Sequence, residues 1–535
     1  MNRRCLSSLG ALLFFMGTPM PGAGQTNKVP SETWRMSWSP LAPLAESIRP
    51  PAPSAIFSLL LAAPPSQVGL HWTGGNPGGL PFDVVESRAD FRALYSAEDG
   101  TYRRPLDPGE IRLVQASARG WTPVDASGAA VGAVTIQRTF FGSGAPSNVA
   151  RPYGMSPHLF ADDSGADLAQ TLVRLDGAGG WRLGPLGLGL SAAYQGWDTR
   201  TGESLFPRFQ RGSRSGLTAG VVREVGAGVL GLRARWLSEA EALSVSNRSA
   251  EISRVYRFEG FGEPIVEPLG YRKGYSRRID RDGWGVGLSG AMTLGVLRWV
   301  VFGEWESQDE RQSSQSINDP PTDRWSADGP RLGTAVRRFI LNGRGEIVTH
   351  ITWSRFSGEG TRAGLEEEGT LFDATEEVWD GTVQAWTRVA EDWTFATHFN
   401  IARQDRTRRD LLARMMYSLT IWRPSMALEV AHTFGRFALS LGAGVAWHTS
   451  RGGIPDPTYR QEAYRDWIGT EHVYDATESL SRSGLLSFRW VIPRGDRLLL
   501  VVRFDHSAPR ASDVRLPLGP DGDRGRLNLC LRWIR

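Results

Sequence analysis

The sequence predicts an all-β protein, a transmembrane antiparallel up-and-down β-barrel of about 16–18 strands with short periplasmic turns and long extracellular loops. Three observations predict it: apolar and polar residues alternate over bilayer-crossing lengths, connections alternate between short and long, and tryptophans fall near the predicted strand ends. The stretch Phe437 to His448 shows the pattern in its clearest form. Phe437, Leu439, Leu441, Ala443, Val445 and Trp447 take one face, and Ala438, Ser440, Gly442, Gly444, Ala446 and His448 take the other. A period of two excludes a helix, and a buried parallel strand would be apolar on both faces. A tilted strand needs roughly 9–11 residues to cross a bilayer, against about 5–6 for an ordinary soluble strand. This stretch has the membrane length. A soluble secreted β-sandwich array is the competing architecture.

In chain order, Arg3 and Arg4 precede an apolar run through Leu12, Leu13, Phe14 and Phe15 and then small residues to Gly24, which reads as a secretory signal over residues 1–24. The apolar run is shorter than the roughly 20 residues of a spanning helix. Cys5 leaves with the signal and Cys530 remains alone, so no disulfide is expected within the mature chain. Lys28 and Lys273 are the only lysines, and the formal net charge of +4 gives no support to nucleic-acid binding.

Residues 25–86 form a proline-rich segment, either a periplasmic leader or a plug that folds into the barrel. Only Ala55 to Ala63 could hold a short helix there, and Gly74 to Gly79 reads as a turn-rich hinge. The barrel is expected over 87–535, with Ala89 to Ser96 as the first strand. Leu230, Leu232, Ala234 and Trp236 alternate with Arg233 and Arg235; Leu297, Trp299, Val301 and Trp305 alternate with Arg298, Glu304 and Glu306; Leu498, Leu500, Val502 and Phe504 oppose Arg503 and Asp505.

Short links at Gly177–Arg182, Glu224–Gly228, Thr293–Val296, Asn342–Gly345, Ala390–Asp392, Phe434–Arg436 and Ile492–Asp496 alternate with long polar ones, such as Ser238–Arg281 and Thr449–Arg482. Both chain ends then lie on the periplasmic side and the strand number is even. Pro424 is expected to interrupt Leu411–Thr433, with Met426–Thr433 embedded and Met415–Trp422 extending the same strand outward; Ile252–Phe258 belongs to an outer loop. Trp197, Trp236, Trp305, Trp353, Trp393, Trp447 and Trp490 are assigned to interfacial girdles. The final strand Arg526 to Ile534 alternates again and ends in Trp533 two residues before the C-terminus, a departure from the terminal aromatic that barrel-assembly machinery recognises.

The segment Arg151-Pro152-Tyr153 through Asp162-Asp163-Ser164-Gly165-Ala166-Asp167, with the strand pair ending near Tyr194 and Arg200, resembles a domain-of-unknown-function family of bacterial outer-membrane β-barrel proteins. The resemblance covers most of the mature chain. It implies residence in the outer membrane and a link to TonB-dependent uptake, and brings no catalytic residue. Gly75-Asn76-Pro77-Gly78-Gly79-Leu80 is similar, over this short stretch, to the N-P-A-G-L turn of long-chain fatty-acid channel relatives.

No motif carries chemistry strongly. Gly226, Gly228 and Gly231 satisfy G-x-G-x-x-G but lead into a strand, where a nucleotide site needs a helix N-terminus. Asp280-Arg281-Asp282-Gly283 and the acidic loop 366–377 could offer oxygen ligands to calcium, against the simpler reading of solvated loop faces. The histidines lack H-E-x-x-H, and a serine hydrolase would need a serine near His398 or His448. No enzyme and no cofactor are therefore expected. Arg233, Arg235, Arg298, Glu304, Glu306, Arg503, Asp505, Arg526 and Arg532 are the lumen-lining candidates, because a charge facing lipid at mid-membrane costs about 2–4 kcal/mol. The expected function is passage or uptake of small molecules across the outer membrane; the alternatives are a non-conducting scaffold or adhesive barrel and an embedded hydrolase. Lipid, lipopolysaccharide and the assembly machinery are the expected partners.

Overall fold

The structure is a computed structural model that describes residues 76–84, 87–101, 108–142, 158–162, 167–201, 207–249, 253–259, 265–269, 271, 274–314, 323–341, 344–361, 369–411, 415–453, 477–493, 495–509 and 522–535. The assigned signal 1–24, the leader up to residue 75 and the acidic residues 366–368 lie outside the described residues.

A single 3-10 turn, Pro77–Gly79, runs into a one-turn helix α1, Leu80–Asp83. The strands follow: β1 Arg88–Gly100, β2 Glu110–Pro123, β3 Gly128–Gly142, β4 His158–Asp162, β5 Leu168–Leu183, β6 Leu186–Thr201, β7 Arg208–Val225, β8 Gly228–Ser246, β9 Ser253–Glu259, β10 Ile265–Leu269 and β11 Gly274–Leu294. Then come β12 Leu297–Ser314, β13 Asp323–Ile340, β14 Gly345–Thr361, β15 Phe372–Arg388, β16 Trp393–Asp410, β17 Met415–Phe434, β18 Phe437–Gly453, β19 Ser479–Val491, β20 Arg497–Pro509 and β21 Arg524–Ile534.

Eighteen of these form one sheet in which chain neighbours pair antiparallel, and β21 returns to β1 from Asp90↔Ile534 to Gly100↔Arg524. The sheet has no edge. Closure gives every strand of the barrel a hydrogen-bonded neighbour on both sides, the condition for a sheet in lipid. The remaining three strands form a small sheet, ordered β10-β9-β4, that joins the outer β3–β5 and β8–β11 connections. The expected outer loop at Ile252–Phe258 thus carries a strand of its own.

Period-two burial runs round the barrel. Leu441 is 61% exposed and Ser440 beside it 5%; Leu230 is 60% exposed and the side chain of Glu304, on the opposite face, 2%. The apolar exterior carries aromatic contacts near the ends of the spans: Trp284 pairs across the ladder with Trp236, Trp353 and Trp379 both donate to Glu377 Oε1 at 3.0 and 2.8 Å, and Phe437 stacks on Trp490 at 6.1 Å. Trp197 departs from the girdle assignment. It shares parity with Gly189 and Ala193, faces inward at 7% exposure, and fills the space a Cβ on Gly212 would take, 2.1 Å from its ring.

Periplasmic turns are tight, with Gly184, Gly226, Gly295 and Gly435 at φ between 58° and 62°, where glycine alone is unstrained. The G-x-G-x-x-G glycines are such a turn and the start of β8. The β2–β3 turn is instead tied by Asp125, whose carboxylate accepts from the Ser127 amide at 2.7 Å, the Ser127 hydroxyl at 2.8 Å and the Gly128 amide at 2.6 Å. Those donors hold its pKa below the usual aspartate value, the Ser127 amide contributing most.

Three assignments are corrected. Gly177–Arg182 lies inside β5, and the turn falls at Gly184 and Pro185. Pro424 does not break β17, which runs unbroken from Met415 to Phe434; it removes only the rungs to β18 between Trp422↔Thr449 and Ser425↔Ala446, because proline has no N–H to give. The long loops are largely strand: β8 continues to Ser246 and β11 starts at Gly274, so Asp280-Arg281-Asp282-Gly283 is ladder, not loop. Above the lipid both faces meet water, so hydropathy stops alternating while the hydrogen bonds continue.

Candidate functional site

The inner wall carries the chemistry. β11 contributes glycine at two successive inward positions, Gly287 and Gly285, each lying between an arginine of β8 and a glutamate of β12 in the register. Arg233 therefore reaches across Gly287 to Glu304 at 2.5 Å, and Arg235 across Gly285 to Glu306. A Cβ on Gly287 would stand 2.9 Å from Arg233 Nε. Higher on the wall the pattern inverts: Arg281 of β11 takes the centre, bonded to Glu310 at 2.5 Å and to Glu239, with Arg214 of β7 at 3.7 Å from Glu239. Arg277 lies 3.9 Å from Glu241.

Elsewhere the pairs are local. Arg503 donates to Asp505 two residues along at 2.8 Å, Arg526 reaches Glu98 across the closing seam at 2.6 Å, and Arg532 reaches Asp90 at 2.9 Å. Arg298 lies within electrostatic range of Glu346, which Arg337 and Trp386 hold at 3.1 and 3.2 Å. All nine sequence candidates thus lie on the face opposite the exposed apolar side chains, and eight of them have a carboxylate or arginine partner at bonding distance. Sequence reasoning missed Asp90, Glu98, Glu239, Arg281 and Glu310. Their parity with known inward residues is the available signal, obscured where the polar run Ser238–Arg281 reads as a loop.

Half-buried pairs of this kind constrain each other. Removing one partner from a buried pair leaves an uncompensated charge at a cost of about 3–5 kcal/mol, whereas an apolar replacement of both is often neutral. Glu304→Leu is therefore expected to lower the midpoint of urea unfolding in detergent, and Arg233→Met added to it to recover most of the loss. Equal damage from the double variant would show that the pair does not act as a unit.

The second feature is a wedge in a glycine slot. Asn76, 1% exposed, donates from Nδ2 to Val221 O at 3.1 Å and Leu232 O at 3.0 Å on β7 and β8, and its Oδ1 accepts from Gly78 N at 3.0 Å. Pro77 and Gly78 press on Gly187 and Gly189 of β6 and Gly220 of β7, where a Cβ would fall 2.0–2.2 Å from wedge atoms. Leu80, fully buried, packs with Val84 and Ala129 against Trp121, Val131 and Ala178, and Arg182 stacks 4.6 Å over Phe82. The expected hinge at Gly74–Gly79 is thus, from Asn76 on, a fixed contact with the wall. The ring of His448 faces Arg423 Nε at 3.4 Å, while Ser440 and Ser487 bond each other at 2.6 Å.

A closed antiparallel barrel with an apolar exterior, charged interior and both ends on the turn side is an outer-membrane β-barrel. The chain belongs to the family of unknown function DUF6850, which matches residues 77–534. No curated protein sequence matches it. Among solved structures it is similar to the copper transporter OprC (11% identity, TM-score 0.44, covering 82% of this chain and 65% of that one) and to the outer-membrane transporter YddB from Escherichia coli (8%, 0.37, 84% and 81%). CdiB from Acinetobacter baumannii is a third (9%, 0.36, 83% and 60%). The chain spans less than two thirds of the length of CdiB and OprC.

Proposed function

We propose that the barrel passes small polar molecules across the outer membrane, and that residues before Asn76 close its lumen at rest. The observation that carries this reading is the position of Asn76, which bonds the inner wall four residues above the periplasmic ends of β7 and β8, so that the preceding chain starts from inside the bore. Eighteen strands spaced about 4.8 Å apart and tilted about 40° enclose a bore of roughly 36 Å between opposite backbones. Paired charges and glycines on its wall support an aqueous path. No catalytic step is assigned. Withdrawal of the segment by a TonB-type periplasmic partner would make passage an energised uptake.

Planar-bilayer conductance of the intact chain and of a chain lacking Gln25–Gly75 tests this. Conductance confined to the shortened chain is the expected result. If neither conducts, the reading fails and a non-conducting scaffold replaces it; if both conduct equally, passage stands without closure.

A further inference from the structure

Charge is unevenly distributed round the bore. On β8, β11 and β12 the inward arginines named above meet glutamates, whereas the wall from β21 through β1, β2 and β3 to β5 carries arginines in excess of its acids. One rung of the ladder runs Arg532, Arg92, Ser117, Thr135, Arg174 across these strands, and the rung below it runs Asp90, Arg119, Ala133, Asp176. Arg532 bonds Asp90 at 2.9 Å and Arg174 bonds Asp176 at 2.8 Å, which occupies both acids. Arg92 and Arg119 make no ion pair among the described residues, and Arg92 Nε, although buried, has no acceptor. Arg119 lies within electrostatic range of the same Asp90 and Asp176 and of Arg532 and Arg174. Four arginines thus share two aspartates. Arg92 and Arg532 also stand directly opposite each other across the closing seam, an arrangement of like charges that destabilises a sheet. The balancing charge must come from outside the chain. The side chains of Asp90, Arg532, Arg174 and Asp176 are 17–26% exposed, so the row is open to the bore. Ser117 and Thr135 are short, and Arg92 and Arg174, about 14 Å apart along the rung, overhang a floor that carries two hydroxyl groups.

We propose that this row is a seat for an oxyanion, a phosphate or carboxylate group, and that the solutes passed by the barrel carry one. A guanidinium offers a planar fork of donors that matches such an anion and is more weakly hydrated than an ammonium. The position also suits a solute on its way through. Trp121, Val131 and Ala178, the wall side of the Leu80 contact, lie four residues below Ser117, Thr135 and Arg174 on the same inward faces, and Arg119 stands 5.8 Å from the centre of the Trp121 ring. An anion held there stands directly above the fixed contact from which the preceding chain enters the bore. The anionic substrate class rests on the passage reading, whereas the seat itself does not.

Equilibrium dialysis of radiolabelled inorganic phosphate against the full chain in detergent tests the seat. Saturable binding is expected, weakened about tenfold by Arg92→Gln and by Arg119→Gln and unchanged by Arg112→Gln, which alters an outward arginine paired with Glu110. Arg92→Gln should also leave the urea midpoint unchanged or raise it, because it removes a like-charged rung. A lowered midpoint would make Arg92 a structural residue and overturn its role as a ligand. Absence of saturable binding, or equal binding by the parent and all three variants, would overturn the seat. In planar bilayers the chain lacking Gln25–Gly75 should favour anions under a potassium chloride gradient, and should do so less with Arg92→Gln. Phosphate binding in a protein whose shortened form never conducts would keep the seat and reject passage; conductance without phosphate binding would do the reverse.

Discussion

Leu441→Arg is expected to destabilise the folded barrel by about 2–4 kcal/mol and Ser440→Arg, its neighbour, by far less. Leu441 opposes Val430 and Leu486 on the lipid face, four residues above the periplasmic turn, so an arginine there has neither counter-ion nor easy access to water. Ser440 points inward. Its replacement breaks the 2.6 Å bond to Ser487, worth about 0.5–1.5 kcal/mol, but sets the guanidinium beside Glu429, whose carboxylate the Ser440 hydroxyl already reaches. The fraction surviving as heat-modifiable barrel, and the urea midpoint in detergent, report the difference. Similar losses from both variants would mean that the register of β18 is wrong by one residue.

The register was legible because lipid and water sort adjacent side chains without ambiguity. Where that sorting ends, so did the legibility. Arg278 and Asp280 face outward on β11 and bond each other at 2.8 Å beyond the lipid, and nothing in their hydropathy distinguishes such a ladder from a loop. Trp197 escapes the girdle for a related reason: its position near a strand end suits a girdle, but parity with Gly189 sends it inward, and the vacant face of Gly212 on the next strand admits it. Nine inward charges could be named from alternation alone. Their partners could not, since Arg233 meets Glu304 only when β8 and β12 are known to flank β11, and only because Gly287 stands between them. The wedge was beyond reach for a different reason. Asn76-Pro77-Gly78-Gly79 reads as a turn in any context, and what makes it a contact is a set of glycines contributed by two strands of the wall, β6 and β7.

Those glycines give the second large effect. Gly189→Ala, and more strongly Gly187→Ala/Gly189→Ala, is expected to unseat the wedge while leaving the barrel closed. A Cβ on Gly189 would stand 2.2 Å from the carbonyl carbon and oxygen of Pro77, and one on Gly187 2.1 Å from Gly78 O, so backbone rather than a flexible side chain must move. The wall is the stiffer party. β6 is laddered along its length to β5 and β7, whereas the wedge is held by the Asn76 hydrogen bonds and the burial of Leu80, worth about 1.5–3 kcal/mol for the leucine. Chymotrypsin should then cut at Phe82 in the variant and not in the parent, with heat-modifiable migration retained in both. If the lumen segment is held by this wedge, conductance should rise toward that of the chain lacking Gln25–Gly75. Ser191→Ala, two residues along the same inward face of β6 and adding no Cβ, should change neither readout. Protection of Phe82 in the double variant would show that the slot accommodates side chains and that its glycines do not position Asn76.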